Sequence, residues 1–274
     1  MANDIFRVAG SLFGANFRLK WINTQYKSTA CAGGFLSMRI AYLNINKAVK
    51  ERGRRLIDYL AGLDADVIGL GEMTRSNAET FQVGFETLGY THRCFKAPEG
   101  PKGSIGVVSR VQPASMRIAY MQARSDHDGV PRLAQLQLSG LDLTFVYFPN
   151  HAKKLPYFRR LLRDGRKLVR NESAAALIGD FNTGDREDYG GPKGIFTGQE
   201  EFDELKHMGF RDVMLEGNPG GREWTWMSTF GNGFRLDQSL GTRRFADRVR
   251  DAHYDHTPRE TRLTDHSAIV IDLR

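Results

Sequence analysis

Residues 174–184 read AAALIGDFNTG. A short apolar run of strand length stops abruptly at a carboxylate, Asp180, so the chain leaves the core there and presents that group at the rim of a sheet. Asn182 follows two residues later. On an extended segment both side chains project to one side, where they can hold a water or a phosphate oxygen between them.

Working outward, the same arrangement recurs. Asn44 follows RIAYL, Glu72 follows VIGLG, Tyr147 closes LTFV, Asp237 follows FRL, and Asp265 with His266 immediately precedes SAIVIDL. If the last strand runs antiparallel to the others, its entry shares their exit rim, and four carboxylates, two amides, a phenol and an imidazole converge there. Four carboxylates in a small volume raise one another's pKa and repel, which a divalent cation relieves. Glu72, Asp265 and the Asn44 amide offer only oxygen, a set that favours Mg²⁺ or Mn²⁺ over Zn²⁺.

The rest of the chain fits one α/β (α+β) architecture. Strands are expected at 38–45, 66–70, 90–95, 105–109, 116–121, 133–138, 142–148, 175–179, 235–240 and 267–272, several with the period of two that marks a largely antiparallel or mixed sheet. Val49, Leu56, Ile57 and Leu60 recur at helical spacing, with Asn46 read as a cap. Ser76 and Glu79 form a capping box for a second helix reaching about residue 88. Residues 155–170 form the clearest long helix, its apolar side built from Leu155, Phe158, Leu161, Leu162, Leu168 and Val169. His253 and His256 have metal-like spacing but are read as part of a solvated loop.

Composition excludes disorder, collagen and coiled coil: the 274 residues are 41% hydrophobic and 26% charged. No run of 18 apolar residues exists, so membrane insertion is not expected. Two cysteines, Cys31 and Cys94, cannot build a disulfide framework and suit a reducing compartment. The formal charge of +7 resides in residues 1–60, which hold 10 of the 39 basic and 3 of the 32 acidic residues. Residues 1–37 lack a signal-peptide apolar core and are read as an appendage to a single domain spanning 38–274. A cytoplasmic monomer with no implied protein partner is the expectation.

In order and position, MRIAYLNIN, ADVIGLGEMT, VYFPNH, LIGDFNTG, FRLDQSL and LTDHSAIV resemble the signature blocks of the endonuclease/exonuclease/phosphatase superfamily. The resemblance runs from about residue 38 to the C-terminus, and the Y-F-P block is closer to the exonuclease III and abasic-site endonuclease branch than to the DNase I branch. His151, four residues after Tyr147, leaves that choice open. The resemblance implies a four-layer sandwich, two mixed β-sheets packed face to face and flanked by helices, and metal-dependent cleavage of phosphate esters.

By the same resemblance, Asn44 and Glu72 correspond to metal-binding positions, with Asp265 completing or sharing the site. Asp180 would orient or deprotonate the attacking water, and Asn182 would position that water or the phosphate. His266 would contact the scissile phosphate, with Asp237 fixing its tautomer, and Tyr147 would donate to a phosphate oxygen or assist the leaving group.

Residues 153–170 carry eight basic residues against Asp164, and Arg159, Arg160, Arg163, Arg166, Lys167 and Arg170 fall in one stripe at helical spacing. Such a stripe suits a polyanion, nucleic-acid backbone or anionic lipid alike. Trp224 and Trp226 alternate, so one should pack inward; the other, with Phe230, could stack on a base. His151, Lys153, Arg159 and Trp226 are thus candidate substrate contacts. The expected activity is a nuclease acting on DNA, with RNA as a further substrate. A phosphatase or phosphodiesterase on a lipid or small phosphoester is the alternative enzyme. A non-catalytic binding module is a third reading, disfavoured because every block is intact.

Overall fold

The computed structural model describes residues 37–98, 102–119, 129–190, 196–218 and 221–274. The appendage expected over residues 1–37 lies, save Ser37, outside them. The chain runs β1 (Met38–Asn44), α1 (Lys50–Gly62), β2 (Val67–Met73), α2 (Arg75–Thr87), β3 (His92–Phe95), β4 (Ser104–Ser109), β5 (Ser115–Ala119), β6 (Leu133–Leu138) and β7 (Leu141–Tyr147). It continues through α3 (Leu155–Arg170), β8 (Ala175–Asp180), α4 (Gln199–His207), β9 (Phe210–Asp212), α5 (Val213–Gly217), β10 (Trp226–Met227), β11 (Gly233–Phe234) and β12 (Asp237–Thr242). The last elements are α6 (Arg243–Ala246), β13 (Val249–Asp255), α7 (Thr257–Glu260) and β14 (Ala268–Leu273).

Two six-stranded sheets result, ordered β13-β14-β1-β2-β4-β3 and β5-β6-β7-β8-β12-β9. Both are mixed: β1–β2 and β7–β8 pair in parallel, and the remaining pairs are antiparallel. Alternation along the strands divides the buried side chains between layers. In β1, Ile40 and Tyr42 join Phe145 and Ile178 of the second sheet in the central core. Ala41 and Leu43 face the other way, against Leu56 and Leu60 of α1 and Phe81 and Phe85 of α2. The second sheet behaves likewise: Val146 and Leu177 turn outward to Phe158, Leu161 and Leu162 of α3 and Phe202 of α4. Central strands covered on both faces read as continuous apolar runs, which is why these were legible in the sequence. At Gly69 a side chain is impossible, because a Cβ there would lie 2.2 Å from the Phe145 ring of the opposing sheet. Among the described residues, no helix is long and apolar enough to cross a membrane.

Three local expectations are corrected. The second helix is capped by Thr74 and Asn77, not Ser76 and Glu79: Asn77 Oδ1 accepts the Thr74 backbone N–H at 2.8 Å. Its first turn therefore starts directly where β2 ends. Asn46 is no cap, since the N-cap of α1 is Val49; it sits in the connecting turn at φ 45°. His253, read as part of a solvated loop, lies in β13, an edge strand on β14. Ala252 and Tyr254 supply its two inward positions between exposed Asp251 and His253, too short an alternation to stand out in the sequence.

Candidate active site

Strand direction assembles the site. β1 and β2 run in parallel, so Asn44 and Glu72 emerge at one rim. β14 is antiparallel to β1, so Asp265 and His266, which precede β14, arrive at that same rim. In the second sheet, β7 and β8 pair Tyr147 with Asp180 in parallel register. β12 runs back along β8 with Asp237 opposite Asp180. Asp237 thus opens its strand rather than closing one, a correction to the sequence reading that leaves it at the expected rim.

Glu72 owes its direction to a bulge. The register of β2 against β4 shifts between Gly71 and Met73, and Glu72 takes φ 62°, a left-handed conformation that costs energy for a residue with a side chain. Asn182 is strained in the same sense at φ 50°. Its backbone N–H donates to Asp180 Oδ1 at 2.9 Å, and its side-chain amide donates to Phe148 O at 2.8 Å and to Asp180 Oδ2 at 3.2 Å.

Asn44 is the hub of the cluster. Its Oδ1 accepts the Asn46 backbone N–H at 3.0 Å, which fixes the amide's orientation. Its Nδ2 then lies 3.1 Å from Asp180 Oδ2, 3.4 Å from Glu72 Oε1 and 3.4 Å from His266 Nε2. In this arrangement the amide presents donors to the site; ligation of a cation by Asn44 needs its other face. His266 Nδ1 sits 2.8 Å from Asp237 Oδ2, and Asp180, Asp237 and His266 each bring a potential ligand atom within 4.8 Å of the others.

Burial and the Asp237 charge push the Asp180 carboxyl up to about 7, with His266 and the bonds from Asn182 and Asn44 opposing. For His266, burial pulls the pKa down, but the charge and hydrogen bond of Asp237, with Asp180 and Asp265 behind them, lift it to about 10. These charges favour the imidazolium over the neutral ring, a form in which Nε2 carries hydrogen and does not accept from the Asn44 amide. Tyr147 is held as a phenol: burial and then the Glu72 charge raise its pKa, while the Arg132 guanidinium lies 4.7 Å above its ring.

The chemistry of the donors fits a hard divalent cation. Carboxylate oxygens predominate, and the buried Asp237 Oδ1 has no hydrogen-bond partner among the described residues. Within the Asp180–Asp237–His266 group, the imidazole is bonded to Asp237. Half-buried Glu72 and exposed Asp265 are the carboxylates with room to receive an ion. Asp265 Oδ2 accepts the Trp226 indole N–H at 3.0 Å.

The candidate substrate contacts divide. Trp226 belongs to the site: it bridges to His266 in antiparallel fashion and packs 5.5 Å from Phe234. Trp224 lies against Gly233, both tryptophans are half-buried, and Phe230 is the aromatic left 91% exposed. His151 and Lys153 are exposed on a 3-10 turn after β7, and Arg159 is exposed on α3. The structure does not draw these three into the cluster. Within the basic stripe, Arg160 pairs with Asp164 and Arg166 with Glu204. Arg160, Arg163 and Lys167 line a groove of about 420 Å³ against the outer faces of β5, β6 and β7, away from the cluster.

Three supporting residues had no sequence signal. Thr225 Oγ1 accepts the backbone N–H groups of Leu236 and Asp237 at 3.0 and 3.1 Å. Thr264 Oγ1 donates to Asn44 O at 2.7 Å. Lys154 donates to the carbonyl of Asn182, and burial draws its ammonium pKa down to about 8.

Comparison with known proteins agrees with this architecture. An AP endonuclease from Archaeoglobus fulgidus superposes with a TM-score of 0.73 at 23% identity, over 86% of this chain and 99% of that one. A 3′-5′ exonuclease, NExo, from Neisseria meningitidis gives 0.72 at 21% identity over the same shares. A 3′ phosphatase, NExo from Neisseria, bound to a product DNA hairpin, gives 0.71 at 21% identity, again over 86% and 99%. None of the curated proteins compared with the chain matches it. The model of the Endonuclease/Exonuclease/phosphatase family matches residues 41–266, and the chain therefore belongs to that family of phosphoesterases.

Proposed function

We propose that the protein hydrolyses phosphodiesters of DNA, with RNA as a further substrate, by in-line attack of water at phosphorus in the presence of Mg²⁺ or Mn²⁺. The observation that carries this reading is the meeting of Asp180, Asn44 and the Asp237–His266 pair where the rims of the two sheets come together. Asp180, with a pKa near 7, is suited to take the proton of the attacking water, which Asn182 orients. The water oxygen bonds to phosphorus as the ester oxygen leaves. The charged imidazole of His266 donates to the phosphate oxygens where negative charge grows, and Asp237 keeps it oriented and protonated. Tyr147, a phenol at neutral pH, donates to a phosphate oxygen or to the departing one. Glu72 and Asp265 would hold the cation, which supplies charge neutralisation at the phosphate. The DNA-directed activities named for the structural neighbours support DNA as the substrate class.

The test compares supercoiled plasmid, an abasic-site duplex, a 3′-phosphorylated oligonucleotide, RNA and small phosphoesters, each with Mg²⁺ and with chelator. Metal-dependent cleavage of DNA is the expected result. Hydrolysis of a lipid headgroup or a small phosphoester with nucleic acids untouched transfers the assignment to that substrate class. Binding of DNA with no turnover leaves a binding module.

A further inference from the structure

Lys154 ends the 3-10 turn before α3 and is 2% exposed. A lysine so buried is ordinarily matched by a carboxylate, because its ammonium has lost its hydration. Here the hydrogen-bond acceptor is neutral, the carbonyl oxygen of Asn182, and no ion pair to Lys154 occurs among the described residues. The aliphatic stem is boxed in. Gly198, at φ 88°, passes over it so closely that a Cβ there would lie 3.2 Å from Lys154 Cδ and 3.0 Å from the Phe158 ring.

Its acceptor is the residue that most needs holding. Asn182 sits at φ 50°, with its backbone N–H and its side-chain amide already bonded to Asp180 and Phe148. Its backbone carbonyl accepts from Lys154. A buried cation that forms no ion pair costs stability, the nearby Asp180 charge offsetting only part of the burial, and strain of this kind persists where the surroundings over-determine it.

We infer that Lys154 is a positioning residue: through the Asn182 carbonyl it locks the turn of residues 180–182 in the left-handed form that aims Asp180 and Asn182 at the reacting phosphate. The inference rests on the proposed hydrolytic reading for its catalytic consequence, but not for the locking itself.

Lys154→Met keeps the unbranched apolar stem and removes the donor. Expected are an unchanged or raised melting temperature, faster exchange of the Asn182 amide hydrogen by about tenfold or more, and a kcat lowered about 100-fold with KM within about threefold, the scale of a small misplacement of reacting groups. Lys154→Gln, which retains an N–H donor, is expected to keep much of the exchange protection and of kcat. Near-native kcat and exchange in Lys154→Met overturn the inference. So does a lowered melting temperature that accounts for the lost activity, or a glutamine variant no better than methionine. If the native protein hydrolyses no phosphoester, the hydrolytic reading fails, and amide exchange alone then decides whether Lys154 holds the turn.

Discussion

Asp237 stands directly opposite Asp180 across the antiparallel pairing of β8 and β12, and His266 Nδ1 lies 2.8 Å from Asp237 Oδ2. Two buried carboxylates in facing positions repel unless a positive charge joins them, and the His266 imidazolium is that charge. Because its pKa is raised from 6.5 to about 10, the stabilisation it gives is fully present below pH 6.5 and is lost as pH rises through about 10. Asp237→Asn should flatten this dependence, as read by urea unfolding from pH 6 to 10, and lower phosphodiester hydrolysis by on the order of 10³-fold. Parallel pH–stability curves for the two proteins would show that the pair is not coupled in this way.

The Asp180 carboxyl is raised from 3.8 to about 7. The fold therefore favours its protonated form, and the corresponding stability, present below pH 3.8, is lost as pH rises through about 7. Above pH 7 the rim carries uncompensated negative charge, and a cation should stabilise the protein most there. Mg²⁺ at about ten times its Kd is worth about 1.4 kcal/mol, or roughly 2–4 °C in melting temperature for a domain of this size. That shift is expected at pH 8, is expected to shrink at pH 5.5, and should vanish in Glu72→Gln together with metal-dependent activity. Equal shifts at the two pH values would count against a cation at this rim.

Asn182 combines a strained backbone with an amide proposed to orient the attacking water, and two substitutions separate them. Glycine adopts φ 50° freely, whereas alanine resists it. Both variants fall below native stability for the lost side-chain hydrogen bonds, and Asn182→Ala should lie about 1 kcal/mol below Asn182→Gly. Both lose the amide that bonds Phe148 O and Asp180, so both should lose activity to a similar extent. An alanine variant as stable as the glycine one would show that the left-handed turn is not a constraint.

How much of this was legible depended on whether a residue's role is written in its neighbours. Strands covered on both faces announced themselves as apolar runs, and the polar residues at their ends marked the rim: Asn44, Tyr147 and Asp180 were found this way. Asp237 was placed at the rim for the wrong reason. The apolar FRL precedes the strand, and the strand proper, DQSLGT, looks polar although it is buried throughout. There Gln238 spends its amide internally, donating to Arg235 O at 2.6 Å. Lys154 was invisible inside a basic run, since nothing in the pair Lys153–Lys154 says that the first faces water and the second lies under Gly198. Thr225 and Thr264 act through single hydroxyls to backbone outside their own local segment, contacts that no short-range pattern announces.

Phe230 offers a direct test of the substrate class. It projects from the turn between β10 and β11, closed by Gly231 N–H to Ser228 O at 3.0 Å and Ser228 N–H to Asn232 O at 2.9 Å. The same hairpin is anchored to the site through Trp226, which bridges to His266 and bonds Asp265. An aromatic ring 91% exposed adds little to stability, so Phe230→Ala should unfold within about 0.5 kcal/mol of the native protein. A base stacked on it contributes about 1–3 kcal/mol, so KM for a DNA substrate should rise about tenfold with kcat little changed. A small diester such as bis(p-nitrophenyl) phosphate has no base to stack, and its hydrolysis should be unaffected. If the substitution leaves DNA cleavage untouched, the ring is not a base platform, and the case for a polynucleotide substrate then rests on the rim alone.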